Sequence, residues 1–512
     1  MSRALLSALL LALGFGAVWI ANAAWNSVTS YRSPYAVNVD LDPGEPLTGR
    51  VVLIVLDGIK LRVAEEELAN LHALAARGNR QTAKTVLPSL SNPARATFST
   101  GAGPDVHGVT NNGKFYPPPV QSLFSIAKQR GVPVAVFGSD FWSRAFGEYL
   151  DPTQVREFNK EQHEIDDPDT LVAWQNSTCD EMIPFLAAQP KGLVVAGLTA
   201  ADEAGHDWGG KSEQYESVAR AVDACLGRVV EALDDGDTTF VIASDHGHIQ
   251  RRGHGGHGGS EGAVTNVPLL LVGKAIKPGQ GMAWQLDIAP TIAALLGLPI
   301  PASNQGTILF DALDLDAQNQ QALERRMIAQ GKVFAERTPN RQVTERNERS
   351  GRLPASLAAG LGFLLALGLA VTRIPVSKAK LFWAVATFLG AYAGLFYALG
   401  LGYSLSAIVR EEYLNSFFLR DIAAAALAFL CAAFVAKRGL LWLGLIVVAL
   451  FGLRVAIIHY RTGLFMQTLM PDLDLGLTAY LDLLSIFTVA VTACLAALVA
   501  GLLNRPKPAP GS

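Results

Sequence analysis

Cysteine is scarce in this chain: four residues in 512, at positions 179, 225, 431 and 494. None forms a Cys-x-x-Cys pair or stands at a ligand spacing from histidine, which excludes a thiolate metal site. Cys179 and Cys225 fall in charged sequence, Cys431 and Cys494 in apolar runs. An oxidising compartment would permit a Cys179–Cys225 bridge, and two buried thiols fit the pattern equally well. Basic runs are missing too. With 42 Lys and Arg against 45 Asp and Glu, the chain offers no electrostatic footprint for nucleic acid.

What the chain has in excess is apolar sequence, unevenly spread: half the residues are hydrophobic. Residues 25–350 read as a charged globular chain punctuated by glycine and proline, whereas 353–503 are mostly apolar. Residues 4–23, behind Arg3, are long enough to cross a bilayer. They close on Ala21-Asn-Ala-Ala24, an ending that also suits a cleavable signal peptide, and their length favours an uncleaved anchor. Five further spans are expected near 355–372, 381–401, 421–436, 439–457 and 477–503. Arg373, Lys378 and Lys380 fall in one loop, Lys437 and Arg438 in another, and Arg505 and Lys507 in the tail. If those segments are cytoplasmic, residues 25–350 lie outside the cytoplasm, and Arg3 gives the same orientation. The expected organisation is therefore an anchor or signal (1–24), a linker (25–46), an extracytoplasmic catalytic domain (47–311), a polar helical connector (312–352), a five-span domain (353–505) and a tail (506–512). An integral protein of the inner membrane is expected.

Within the globular part, 51–56 is a continuous apolar run of strand length, suited to the centre of a sheet covered on both faces. Further strands are expected at 81–86, 132–137, 192–198, 238–243 and 267–272, alternating with helical patterns. This alternation predicts a doubly wound, mostly parallel α/β domain. The stretch 139–169 is aromatic and charged without periodicity, and reads as loops over a pocket.

Polar residues gather where strands end, which is where open α/β sheets bind ligands. Asp57-Gly58 follows the first strand, Asp202-Glu-Ala-Gly-His206 follows 192–198, and Ser244-Asp-His-Gly-His248 follows 238–243. A glycine-rich turn, Gly253-His-Gly-Gly-His-Gly-Gly259, comes next. Ser91, in Ser89-Leu-Ser-Asn-Pro93, is expected at a helix N-terminus, where first-turn N–H groups favour an anion. The strand-end residues supply ligands for two divalent cations: Asp57, Asp245 and His246 for one, and Asp202, His206 and His254 for the other. Ser91 would lie at or between them as a further ligand, its hydroxyl ionising more readily there. His257 is the competing candidate to His254 and is otherwise expected to contact substrate. His107 and His248 are expected to be structural or to stand behind the ligands.

These motifs, together with His107-Gly-Val109 and Asp287-Ile-Ala-Pro-Thr-Ile-Ala-Ala-Leu-Leu-Gly297, make residues 51–300 resemble the alkaline phosphatase superfamily. The resemblance is to its phosphodiesterase, nucleotide pyrophosphatase and ethanolamine-phosphate transferase branches. It implies Ser91 as a covalently phosphorylated nucleophile, Asn112 as a holder of a phosphate oxygen, and the six metal ligands as assigned, with zinc preferred and manganese the alternative. Arg95 would bind the anion or pair with a carboxylate. Ser91-Asn-Pro-Ala-Arg95 also fits the Ser-x-Pro-x-Arg core of sulfatases whose serine becomes formylglycine. Those enzymes carry an Asp-Asp pair after the first strand and a calcium-like ion, whereas this chain has Asp57-Gly58 and nitrogen ligands that suit zinc. The expected function is a membrane-embedded, two-metal phosphodiesterase or phosphotransferase working on phosphoesters, with lipid or lipid-linked glycan substrates suggested by the five spans. A non-catalytic membrane scaffold is the third reading, disfavoured because nucleophile and open ligands are all present.

Overall fold

A computed structural model describes residues 1–158 and 167–503; Arg505, Lys507, the tail 506–512 and the 159–166 part of the aromatic stretch lie outside the described residues. The apolar run at 51–56 becomes β1 (Arg50–Leu56), buried at every position. Val51, Leu53 and Val55 pack into one core, and Val52, Ile54 and Leu56 into the other. Burying an aliphatic side chain of this size is worth about 1.5–3 kcal/mol. A strand apolar on both sides therefore belongs in the middle of a sheet with helices on both faces.

Its neighbours are β5 (Leu193–Leu198) and β6 (Thr238–Ser244), both parallel to it. Beyond β5 come β3 (Val134–Gly138) and β4 (Val155–Glu157); beyond β6 come β7 (Asn266–Gly273), β2 (Asn79–Lys84) and β8 (Gly279–Trp284). Among these eight strands only β7 runs antiparallel to its neighbours, so the sheet is mixed but mostly parallel. The six expected strands are present to within two residues at each end. The two unexpected ones are short or weakly patterned: β4 has three residues, and only Ala283 of β8 is buried. Both lie at sheet edges, where no periodic apolar signal is required.

The helices Pro168–Ala187 and Glu213–Leu233 pack on the face lined by Val52, Ile54 and Leu56. Each is capped as its sequence invites: Asp167 accepts a hydrogen bond from Thr170 N, and Ser212 from Tyr215 N. Cys179 of the first and Cys225 of the second form a disulfide, which settles the choice left open by their sequence context.

The chain divides into two compact units, one comprising Thr29–Arg341 and the other Met1–Val28 with the chain from Gln342 onward. In the second unit the N-terminal run is a helix, Arg3–Thr29, and the five apolar runs fall on the helices Arg341–Arg373, Lys378–Ala398, Leu414–Ala436, Leu440–Thr462 and Leu473–Leu503. All six are long and apolar enough to cross a membrane. The apolar segment of Leu440–Thr462 is 67% buried, against 11–33% for the others, so this helix forms the core of the unit. Leu365, Phe434 and Leu503, each at least 75% exposed, point outward from their helices, as side chains facing lipid would.

The disulfide closes a loop with a sequence separation of 46 residues. A Cys179→Ser/Cys225→Ser variant is expected to lose about 3–4 kcal/mol of stability in the α/β unit by loop-closure entropy. Denaturant titration of the full-length protein should show the lower midpoint, and an unchanged midpoint under oxidising conditions would contradict the bridge.

Candidate active site

Three adjacent parallel strands, β5, β1 and β6, end side by side, and each delivers acidic or imidazole groups just past its last residue. Asp57 follows β1. Asp245 and His246 follow β6. Asp202 and His206 lie on the helix Ala200–Trp208 that begins after β5. Residues far apart in the chain are thus brought together by sheet order alone.

Ser91 opens the helix Ser91–Thr100, with Leu90 as N-cap and no side-chain cap bond. A capping role for Ser91 is therefore excluded. Its Oγ instead stands 3.1 Å from His246 Nε2. The helix N-terminus is finished by Asn112, whose Oδ1 accepts from Asn92 N at 3.0 Å and whose carbonyl accepts from Asn92 Nδ2 at 2.8 Å. With its side-chain oxygen so used, the half-buried Asn112 is held against the residue that follows Ser91.

Asp57 and Asp245 are each satisfied on one oxygen and bare on the other. Asp57 Oδ2 accepts from Arg95 Nη2 and from Thr199 Oγ1 at 2.7 Å. Asp245 Oδ1 accepts from Gly58 N and His246 N, both at 3.0 Å. Asp57 Oδ1 and Asp245 Oδ2 have no hydrogen-bond partner among the described residues, although both side chains are buried. Those two oxygens lie 3.6 and 3.8 Å from His246 Nε2. Burial, reinforced by the charge of Asp57, pushes the Asp245 carboxyl well above the usual range. Two buried carboxylates with their bare oxygens turned to one imidazole nitrogen are a donor set that fits a divalent cation.

The imidazole tautomers follow from their outer contacts. His246 Nδ1 lies 3.3 Å from Gly247 O and His257 Nδ1 lies 3.0 Å from Ser89 O. A carbonyl only accepts, so Nδ1 carries the proton in both rings and Nε2 presents its lone pair inward. Burial lowers both groups, His257 to about 4 and His246 well below the usual histidine value, so both rings are neutral near pH 7. The two rings stack with centroids 3.5 Å apart. His257 Nε2 is 3.1 Å from His206 Nε2 and 3.5 Å from Asp202 Oδ1. At Asp202, burial opposes ionisation but is outweighed by His206, His248 and His257, so its carboxyl falls well below the usual range.

His248 is oriented the other way. Its Nδ1 accepts from Gly256 N at 3.2 Å, so Nε2 carries the proton and donates to Asp202 Oδ1 at 3.0 Å. It therefore holds the carboxylate in place, although it also falls within a compact group with Asp202 and His206. Two glycines make room for it: a Cβ on Gly205 would lie 2.4 Å from His248 Cδ2, and one on Gly58 2.9 Å from its Nε2.

Of the residues expected at the site, Asp57, Ser91, Asp202, His206, Asp245 and His246 lie within this arrangement. His254 does not. It is exposed and forms a two-way backbone bridge with Arg251, closing a tight turn in which Arg252 and Gly253 take positive φ. The turn sends His254 outward, and only after three more residues does the chain return with His257. His257, expected as a substrate contact, is the imidazole that faces Asp202. Each histidine is followed by Gly-Gly, so local sequence does little to separate the two. Arg95, expected on the anion or on a carboxylate, takes the carboxylates: beyond Asp57 it lies 3.9 Å from Asp245 Oδ2 and donates to Ser139 Oγ at 3.0 Å. His107 stands apart, buried, with Val109 N donating to its Nδ1, and burial lowers it to about 3. Thr199 and Ser139 escaped sequence reasoning because a hydroxyl residue after a strand is ordinary turn chemistry.

Residues 51–254 match the model of the type I phosphodiesterase/nucleotide pyrophosphatase family. This region is thus similar to that family, which stands within the alkaline phosphatase superfamily. The chain is 34% identical over 134 residues to a 2,3-bisphosphoglycerate-independent phosphoglycerate mutase of Vibrio cholerae, 26% of each chain. A GPI ethanolamine phosphate transferase 2 of Kluyveromyces lactis is 24% identical over 324 residues, 55% of this chain and 39% of that protein. The chain thus spans between a quarter and two-fifths of the length of these curated relatives. Among solved structures, alkaline phosphatase PafA (a mutant) is similar over 54% of this chain and all of its own, at 11% identity and a TM-score of 0.43. Human ectonucleotide pyrophosphatase/phosphodiesterase 5 is similar over 52% of this chain and 98% of its own, at 14% identity and a TM-score of 0.43.

Metal counting should separate the two glycine-flanked histidines. His257→Ala is expected to retain about one equivalent of zinc fewer than the wild type after gel filtration, and His254→Ala none fewer. The reverse result would restore the ligand set expected from sequence.

Proposed function

We propose that this protein is a membrane-embedded, metal-dependent phosphodiesterase or phosphotransferase in which Ser91 is the nucleophile. The observation that carries the reading is the placement of Ser91 Oγ 3.1 Å from His246 Nε2, beside two buried carboxylate oxygens that have no hydrogen-bond partner among the described residues. Asp57, Asp245 and His246 would hold one divalent cation, and Asp202, His206 and His257 a second. Mixed carboxylate and imidazole donor sets of this kind suit zinc, with manganese as the alternative. When bound, such cations supply positive charge that favours ionisation of a serine hydroxyl and offsets charge on a transferring phosphoryl group.

The chain's own groups account for the rest of the reaction. Ser91 Oγ attacks phosphorus, the bond to the leaving alkoxide breaks, and a phosphoseryl or phosphodiester-seryl enzyme results. Water or a hydroxyl acceptor then attacks the same phosphorus and releases Ser91. Asn112 Nδ2 donates to a non-bridging oxygen, and the N–H groups of the first turn of Ser91–Thr100 face the same negative charge. Arg95 and Thr199 hold Asp57, and His248 holds Asp202, so the ligand oxygens do not reorganise as charge develops.

The domain is proposed to face an extracytoplasmic space, from the inner membrane. The Cys179–Cys225 disulfide supports an oxidising compartment, and the basic residues at 373–380 and 437–438 support cytoplasmic placement of those loops. A lipid or lipid-linked glycan substrate is favoured by a chain that invests six apolar helices in its membrane unit.

Full-length enzyme assayed on phosphomonoesters, nucleotide diesters, phospholipids and aryl sulfates, with and without chelator, should cleave phosphodiesters and stop when metal is removed. Ser91→Ala is expected to lower kcat by at least about 1,000-fold, and Asn112→Ala by about 100-fold. Mass spectrometry of the Ser91 peptide should show unmodified serine. Chelator-resistant turnover, wild-type rates in Ser91→Ala, or conversion of Ser91 to formylglycine with aryl sulfate cleavage would each overturn the proposal.

A further inference from the structure

Two aspartates sit fully buried among the apolar helices, and the chemistry at Ser91 uses neither. Asp421 lies on Leu414–Ala436 and Asp482 on Leu473–Leu503, both 0% exposed. Asp482 is neutralised: Arg454, from Leu440–Thr462, donates to both of its oxygens through Nε and Nη2. The Arg454 guanidinium lies 5.4 Å from the Tyr403 ring centroid and 5.8 Å from that of Phe451, so the bundle already holds one cation between a carboxylate and aromatic rings.

Asp421 lies within electrostatic reach of Arg454, but the guanidinium hydrogen bonds go to Asp482 and not to it. Its Oδ1 accepts from Tyr392 OH at 2.7 Å, and the Tyr392 oxygen accepts from Ser485 Oγ at 3.1 Å. Both hydroxyl protons therefore point along the chain toward Oδ1. Oδ2 is buried with no hydrogen-bond partner among the described residues. Arg420, next in sequence, does not serve it, because its head group donates to Leu399 O and Ser416 O. The Tyr392 ring is itself a hub, with the Phe451, Phe396 and Phe388 centroids at 5.6, 5.7 and 5.9 Å.

With both carboxylates ionised, one guanidinium leaves a single negative charge, on a carboxylate whose Oδ2 has no hydrogen-bond partner among the described residues. Inside a membrane bundle an isolated carboxylate is strongly disfavoured, and such residues pair with a partner. We propose that Asp421 Oδ2, with the hydroxyls of Tyr392 and Ser485, forms a site for a monovalent cation, an alkali ion or an ammonium group. One residual charge favours a monovalent over a divalent ion, and the oxygens with flanking aromatic rings suit either kind of monovalent ligand. The site is independent of the phosphoester chemistry and stands whether or not Ser91 is a nucleophile.

The test uses full-length protein in detergent at constant ionic strength, with N-methylglucamine chloride as the bulky reference salt. Thermal unfolding in sodium, potassium, ammonium or ethanolammonium chloride should show a saturable rise in Tm with at least one of them. Preference for sodium or potassium identifies an alkali-ion site, and preference for ammonium or ethanolammonium an amine site. Asp421→Asn should lose the rise, and Tyr392→Phe should weaken the apparent affinity by about tenfold. Equilibrium dialysis of the wild type with the responding cation should recover one ion per chain, a measurement that needs no variant to fold. Identical Tm values in all salts, no retained ion, or a full response in Asp421→Asn would overturn the site.

Discussion

Two buried carboxylates, Asp57 and Asp245, turn their unpartnered oxygens toward the nitrogen of His246, and most of the α/β unit is arranged so that they can stay there. Like charges at this separation repel strongly when water is excluded, and burial alone would drive one of them to protonate. The structure answers with donors to the outer oxygens: Arg95 and Thr199 on Asp57, and the backbone amides of Gly58 and His246 on Asp245. The inner oxygens are left for a cation. Arg95 thus has a role that its motif does not reveal, since the residue that most resembles a sulfatase anion-binder is committed to holding a carboxylate.

The same division into inward acceptor and outward anchor runs through the imidazoles. Ser89 O and Gly247 O fix the protons of His257 and His246 on the outer nitrogen, whereas Gly256 N reverses His248 and makes it a donor to Asp202. Four histidines within a few ångströms of one another therefore do different things, and the difference lies in which backbone group each ring meets. Gly205 and Gly58 are required by the same packing, because a side chain at either would displace His248.

In the unit of apolar helices the same electrostatic constraint appears without imidazoles. Arg454 meets Asp482 and offsets the cost of burying it, whereas among the described residues Asp421 accepts a hydrogen bond from a tyrosine hydroxyl alone. A bundle selected only to anchor a domain would not need either aspartate, since apolar residues pack as well at lower electrostatic cost. Six helices with such an interior suggest a unit with chemistry of its own.

Much of this was legible in one dimension. The fully apolar run ending in Asp57 specified a central, doubly covered strand, and the β–α alternation specified the layers, because burial on both faces leaves no other pattern. The clustering of Asp57, Asp202, Asp245 and His246 was legible because each follows a strand or opens the helix after one, and that of His206 because it stands one turn beyond Asp202. The Arg3 run and the five later spans were legible from length alone. What the chain order left undecided were the choices between chemically identical neighbours: His254 against His257, Arg95 on anion against carboxylate, and two thiols against a disulfide. A tight turn at Arg252-Gly253, the proximity of Ser139 and Asp57 to Arg95, and the packing of one long helix on another decide where each of these groups stands in the folded chain. Local sequence sets which groups reach the end of a strand, but which way each one faces depends on partners contributed by distant segments, and only the folded chain brings those together.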